Sequence, residues 1–172
     1  NRVRLGSSRV TNGGDEADLV VAFNEQVLLG RLRAKELKPG AVVLLESMWR
    51  ADRDPRIAKS YVETHDLLVA EGYKVYEIPM EQECLPHVAD PRRGKNMFVL
   101  GMLCSIYSLD MPLAHELVRL TFRKKDENVI RTNLNLLDAG YEWAERNLDF
   151  KFRIPAVRSK EPQIVVNGNT AI

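Results

Sequence analysis

Two periodicities divide the chain. Up to about residue 79, short apolar runs alternate with segments of helical spacing; beyond residue 94 the spacing is helical almost to the end. Leu19-Val20-Val21-Ala22-Phe23 and Ala41-Val42-Val43-Leu44-Leu45 are unbroken apolar runs. That pattern suits central strands of a parallel sheet, covered on both faces. Tyr73 to Ile78 is more mixed and predicts a third strand, stopped by Pro79. After the first run, Asn24 is placed to cap a helix and Glu25 suits its dipole. Val27, Leu28 and Leu32 give that helix one apolar face, and Lys38-Pro39-Gly40 closes the unit. After the second run, Asp54 and Pro55 supply a cap and an N1 proline. Ile57, Tyr61, His65 and Leu68 recur at helical spacing, and Gly72 is placed to end the helix. Arg2-Val3-Arg4-Leu5 alternates as an edge strand would, ahead of turn chemistry at Thr11-Asn12-Gly13-Gly14. Met80 to Asp90, with Glu81-Gln82-Glu83, reads as a polar loop.

From Met97 to Leu109 only Gly101, Ser105 and Ser108 are neither aliphatic, aromatic nor sulfur-bearing. A helix apolar nearly all round is a buried one. It is too short and interrupted for a bilayer, which takes about 17–25 apolar residues. Gly101 and Ser105 lie on one face, where small residues admit another backbone. Asn96 is placed to cap this helix, behind the basic loop Pro91-Arg92-Arg93-Gly94-Lys95. A further helix starts at Asp110-Met111-Pro112, with Leu113, Leu117 and Leu120 as its stripe. A longer one runs from about Asp126 to Leu148, where Ile130, Leu134, Leu137, Tyr141, Ala144 and Leu148 share one side, broadened by Val129 and Trp143. Phe150, Phe152 and Ile154 then alternate, 155–163 is a charged, proline-bounded linker, and Ile164-Val165-Val166 opens a new strand. Strand–helix alternation followed by helices predicts an α/β fold: a Rossmann-like, mostly parallel sheet flanked by helices, with a helical C-terminal part.

Composition narrows the chemistry by exclusion. The 172 residues amount to about one domain. The net charge of +1 argues against a general nucleic-acid or membrane surface. Cys84 and Cys104 are far apart and outside any C-x-x-C pattern, as in reduced cytoplasmic proteins, and His65, His87 and His115 have no ligand spacing. There is no G-x-G-x-x-G, phosphate loop or G-x-S-x-G elbow. Ligands of open α/β sheets bind beyond the carboxyl ends of the strands, here Asn24, Ser47-Met48 and Pro79-Met80. Asn24 and Ser47 are the candidate polar contacts there, and the same residues suit a helix cap and a turn. Arg92, Arg93 and Lys95, ahead of Asn96 at a helix start, combine cations with backbone donors, the chemistry of a phosphate site or of a solvated loop. The first residue is not Met, and both ends read as cut from something longer.

Several segments resemble the gamma domain of 2-oxoacid:ferredoxin oxidoreductases. Asp15-Glu16-Ala17-Asp18-Leu19-Val20-Val21-Ala22-Phe23-Asn24 is similar to its "ADVVVA-x-N" strand. Leu37-Lys38-Pro39-Gly40 and the run after it, Val42 to Leu45, resemble the next loop and strand, and Lys95-Asn96-Met97-Phe98-Val99-Leu100-Gly101 its "N-M-x-x-L-G" helix. Phe122-Arg123-Lys124-Lys125, Asn133-Leu134 and Ala139-Gly140-Tyr141 resemble its closing helices, and Val166-Asn167-Gly168-Asn169-Thr170-Ala171 the opening of the alpha, pyrimidine-type, domain. The match is closest to the 2-oxoglutarate-dependent members. It implies a gamma-type domain over 1–154 lacking its N-terminal part, a linker over 155–163, and the first strand of the alpha domain over 164–172. It implies a cytoplasmic enzyme that decarboxylates a 2-oxoacid with coenzyme A, or runs the reverse carboxylation of carbon fixation and the reductive TCA cycle. Thiamine diphosphate, Mg2+ and [4Fe-4S] would lie outside this segment, electrons would pass to ferredoxin, and a beta subunit would complete a dimer of heterodimers. No family catalytic residue maps onto the chain; Asn24, Ser47, Arg92, Arg93, Lys95 and Asn96 are the candidate coenzyme A contacts. The alternatives are pyruvate or an aryl pyruvate as substrate, or a non-catalytic α/β docking module.

Overall fold

The computed structural model describes residues 2–7, 10 and 12–154. Two compact units divide the chain: 14–152, and a smaller one of 1–13 with 153–172. In the smaller unit the segment 2–6 forms no strand, although its residues alternate. Val3 and Leu5 are exposed, and among the described residues no strand pairs with the segment. The linker over 155–163 and the strand at Ile164-Val165-Val166 lie outside the described residues.

The larger unit contains a parallel sheet of β1 (Ala17–Ala22), β2 (Leu37–Glu46) and β3 (Lys74–Ile78) in the order β1-β2-β3. Central β2 explains its own sequence. Val43 and Leu45 face the helices α1 (Glu25–Arg33) and α2 (Pro55–Ala70), packing with Leu28, Tyr61 and Leu68. Val42 and Leu44 face the other way, onto Met80, Cys84, Phe98 and Met102. Burial on both faces requires apolar residues at successive positions, hence the unbroken run. β2 also starts earlier than the run. Lys38-Pro39-Gly40 belongs to the strand instead of ending the preceding unit, because the register shifts between Ala17 and Leu19. Gly40 takes φ +72°, and Lys38 Nζ reaches Asp18 at 2.7 Å across the irregular step. Caps follow local chemistry: Asp54 accepts from the Arg56 amide with Pro55 in the first turn, and Gly72 leaves α2 at φ +85°.

Met80–Cys84 is a short helix, α3, in place of the expected loop. Gln82 is exposed and Glu81 accepts from Lys95, while Met80 and Cys84, one turn apart, are fully buried. Two apolar anchors outweigh three polar neighbours, an effect composition conceals.

On that face lie α4 (Lys95–Ile106) and α6 (Glu127–Asn147), with α5 (Met111–Phe122) between them in the chain. α4 is the buried helix its sequence predicts: Phe98, Val99, Met102, Cys104 and Ile106 are all buried. It crosses α6 at backbone contact. A Cβ on Gly101 would lie 1.9 Å from the Leu137 carbonyl oxygen, and one on Gly140 1.9 Å from the Phe98 carbonyl oxygen. Each glycine thus turns a Cα–H toward a carbonyl of the other helix, a weak but recurring interhelical contact. The expected close approach at Gly101 is present, and Ser105, one turn on, donates to Glu145 Oε1 at 2.7 Å. Ile130, Leu134, Leu137 and Ala144 form the buried side of α6 as its spacing predicts; Val129 is exposed. Phe150 and Phe152 close the core against Tyr76 and Tyr107, with ring centroids 5.0 and 5.4 Å apart.

Gly140→Ala should therefore lower the unfolding free energy by about 3 kcal/mol or more, the upper end for overpacking, since backbone cannot yield as a side chain can. Gly30→Ala in α1, where an added Cβ meets nothing within 4 Å, should raise it by about 0.5–1 kcal/mol. Chemical denaturation of the two variants checks both signs; equal effects would contradict the crossing.

Candidate functional site

The carboxyl ends of the three strands converge on one buried carboxylate. Glu46 ends β2 and is wholly buried. It accepts from the Met48 amide at 3.4 Å and the Glu81 amide at 3.1 Å. Lys95, at the start of α4, places Nζ 3.6 Å from Glu46 and 3.0 Å from Glu81, above the Phe23 ring at 5.5 Å. One side chain thus ties together the turn after β2, the start of α3 and the start of α4. Burial pushes the Glu46 carboxyl above its ordinary range, against the pull of Lys95 and the two amides. Sequence reading passed over Glu46 and Glu81. The only signal was a charged residue closing an apolar run, and an acidic stretch that looked solvated.

Across the same edge, Glu77 of β3 accepts from Arg50 Nε at 2.7 Å, Arg50 Nη2 at 3.0 Å and the Tyr61 hydroxyl at 2.8 Å. Burial raises the Glu77 pKa, but the bonds from Arg50 and Tyr61 outweigh it and hold the carboxyl below its ordinary range. Burial pushes the Tyr61 phenol up. Glu77 is engaged by three fixed donors, an arrangement that suits support.

The predicted contacts separate into two sets. Asn24 caps α1, accepting from the Val27 amide at 3.1 Å, and Ser47 opens the 3-10 turn Ser47–Ala51. Lys95 points inward to the carboxylates. Arg92 and Arg93 point outward, 78% and 86% exposed, and are gathered by Asp90, which accepts from Arg92 Nε at 3.0 Å and lies 3.6 Å from Arg93 Nε. The bond from Arg92 holds the Asp90 carboxyl below its ordinary range. Asn96 is exposed in the first turn and makes no cap; Gly94 occupies the cap position, so the helix begins two residues before an Asn96 cap would allow. Three cations therefore do not converge at this helix start: two face solvent and one neutralises the interior.

Neither cysteine is activated as a nucleophile. Burial pushes the Cys84 thiol up to about 11 and raises that of Cys104. Among the described residues no group of three or more His, Cys, Asp or Glu side chains is placed to hold a metal ion. No helix among them is long and apolar enough to cross a membrane. What the edge offers a ligand is two outward guanidinium groups on a turn fixed from beneath.

The family model for pyruvate ferredoxin/flavodoxin oxidoreductase matches residues 2–143. The ketoisovalerate oxidoreductase subunit VorA of Methanothermobacter marburgensis is 28% identical over 149 residues, covering 87% of this chain and 27% of the relative. The 2-oxoglutarate oxidoreductase subunit KorA of Mycobacterium tuberculosis is 26% identical over 183 residues, covering 99% of this chain and 27% of the relative. A solved 2-oxoglutarate:ferredoxin oxidoreductase from Magnetococcus marinus, with 2-oxoglutarate, coenzyme A and succinyl-CoA bound, shares the fold at a TM-score of 0.65 and 24% identity, over 88% of this chain and 24% of that one. The chain spans about a quarter of the length of the proteins it matches.

Lys95→Met should cost about 3–5 kcal/mol, because it leaves Glu46 buried without a counter-charge. Adding Glu46→Gln should recover a substantial part of that loss. Denaturant midpoints of the single and double variants decide; a double variant no better than the single one would contradict the pairing.

Proposed function

Because the chain belongs to the pyruvate ferredoxin/flavodoxin oxidoreductase family, we propose that it is the gamma-type part of a 2-oxoacid:ferredoxin oxidoreductase acting on 2-oxoglutarate. The reaction consumes the 2-oxoacid, coenzyme A and two oxidised ferredoxins. It yields the acyl-CoA, carbon dioxide, two reduced ferredoxins and a proton, or runs in reverse. This segment is structural and helps enclose coenzyme A. The observation that carries the reading is the Asp90–Gly94 turn: Arg92 and Arg93 face outward, an arrangement for gripping a polyanion. Asn24, Ser47 and Asn96 belong to the same edge as further contacts, and Lys95 supports it from within.

The donor set does not fit the redox groups. A [4Fe-4S] cluster takes four cysteine thiolates, and the chain has two cysteines, both unpaired and buried. Thiamine diphosphate, Mg2+ and the cluster are assigned to the rest of the alpha chain and to a beta subunit, in a dimer of heterodimers that delivers electrons to ferredoxin. Unpaired cysteines favour a cytoplasmic setting. Within the same reading, the similarity to the ketoisovalerate oxidoreductase subunit VorA supports a branched-chain 2-oxoacid as the alternative substrate.

The assembled enzyme, assayed without oxygen by viologen reduction, should turn over 2-oxoglutarate faster than 2-oxoisovalerate or pyruvate, and only with coenzyme A. Arg92→Ala with Arg93→Ala should raise the KM for coenzyme A about tenfold, the loss of one charge-assisted contact, with the KM for the 2-oxoacid unchanged. No reduction with any 2-oxoacid would refute the activity; equal changes in both KM values would refute the role of the turn.

A further inference from the structure

The turn that follows β2 is tied to the ends of all three strands. Its residues Ser47–Ala51 leave the central strand directly after Glu46. The Glu46 carboxylate accepts from the Met48 amide at 3.4 Å. Trp49 Nε1 donates to the Phe23 carbonyl, just past β1, at 2.7 Å. Arg50 forks onto Glu77 of β3, with Nε at 2.7 Å and Nη2 at 3.0 Å, and its guanidinium lies 5.5 Å from the centre of the Tyr61 ring. Tyr61 of α2 donates to the same carboxylate at 2.8 Å. The Asp52 amide closes the turn onto the Trp49 carbonyl at 3.3 Å. A bidentate guanidinium–carboxylate pair fixes direction as well as distance.

The group this turn leaves unengaged is at its start. Among the described residues the Ser47 hydroxyl has no hydrogen-bond partner, and Ser47 is half-buried. Met48 beside it is 36% exposed. The carboxyl end of a central strand is where open α/β sheets take their ligands. Closing the turn needs only the bond from Asp52 to Trp49; the side-chain bonds of Trp49 and Arg50 add position. The Arg50–Glu77 pair is itself partly exposed, at 44% and 31%, and such pairs add little to global stability. Its use is therefore geometric. A hydroxyl held still before a ligand arrives loses little freedom on binding, which is how preorganisation raises affinity.

We propose that Arg50 is a positioning residue for coenzyme A: with Trp49 as the second brace, it holds the turn so that the Ser47 hydroxyl meets the ligand already in place. The inference rests on reading this edge as the coenzyme A side of an oxidoreductase. Calorimetric titration of the complete enzyme with coenzyme A tests it, with viologen reduction measured on the same sample. Ser47→Ala should raise the Kd for coenzyme A about fivefold, the loss of one neutral hydrogen bond. Arg50→Ala should raise it by a similar factor and leave the KM for the 2-oxoacid unchanged. The double variant should bind no more weakly than either single one, because two residues acting through one contact are not additive. Arg50→Lys keeps the charge without the fork and should behave as Arg50→Ala does. If Arg50→Ala fails to assemble, Trp49→Phe, which removes the bond to Phe23 and keeps an aromatic ring, is read in its place. A Kd unchanged by Ser47→Ala overturns the inference. A Kd unchanged by Arg50→Ala overturns it by leaving Arg50 a brace of the fold alone. Factors that multiply in the double variant overturn it by making Arg50 a direct contact. Dye reduction separates this inference from its premise. Coenzyme A-dependent turnover with unaltered binding by the variants removes the positioning role and keeps the oxidoreductase. The expected binding changes with no reduction by any 2-oxoacid keep the positioning role and remove the oxidoreductase.

Discussion

The architecture depends on two helices touching backbone to backbone. At Gly101 and Gly140 there is no space for even a methyl group, because the carbonyl oxygens of Leu137 and Phe98 occupy it. That approach draws Phe98, Met102 and Leu136 into one layer and presses it onto Val42 and Leu44 of the sheet. Interiors pack at crystal-like density, so such a crossing has one solution and not a family of them. Ser105–Glu145 and the Phe98–Trp143 edge contact fix its rotation. The aromatic residues after α6 then find Tyr76 and Tyr107 already in place.

The crossing has a consequence at the strand ends. α4 enters the core with a lysine in its first turn, and that ammonium must be neutralised where it lands. Glu46 and Glu81 do this, and in doing so bind the start of α4 to the turn after β2 and to α3. The Asp90–Gly94 turn precedes Lys95 directly, so its outward guanidinium groups inherit a rigid base. Positioning here comes from a buried ion pair, whose worth lies in geometry more than in net stability. α5 is the opposite case. It is held on one face by Val118 and its neighbours, and presents an equally apolar face outward.

The sequence carried the strands and long helices in plain view, because burial on two faces leaves no choice of residue type along β2 or α4. It also carried Gly101, since a glycine inside an apolar helix has few other uses. Gly140 was harder: within a helix of mixed polarity its reason is a partner helix, and periodicity does not report partners. α3 was hidden because two buried residues among acids do not make a pattern. Lys95 was grouped with Arg92 and Arg93 by adjacency, yet a helix start turns neighbours in different directions, and burial sends one cation inward and leaves two outside. The Leu113 stripe was visible as spacing, but spacing does not distinguish a face turned to the core from one left exposed.

Native-state hydrogen exchange on the complete enzyme, followed across low denaturant, tests the crossing most directly. Cooperative units open together and share one exchange free energy. If the backbone contact organises the unit, amides of α4 near Gly101 and of α6 near Gly140 will converge on a single opening and respond to denaturant with the same slope. An α6 that opens well before α4, with its own smaller slope, would contradict the account.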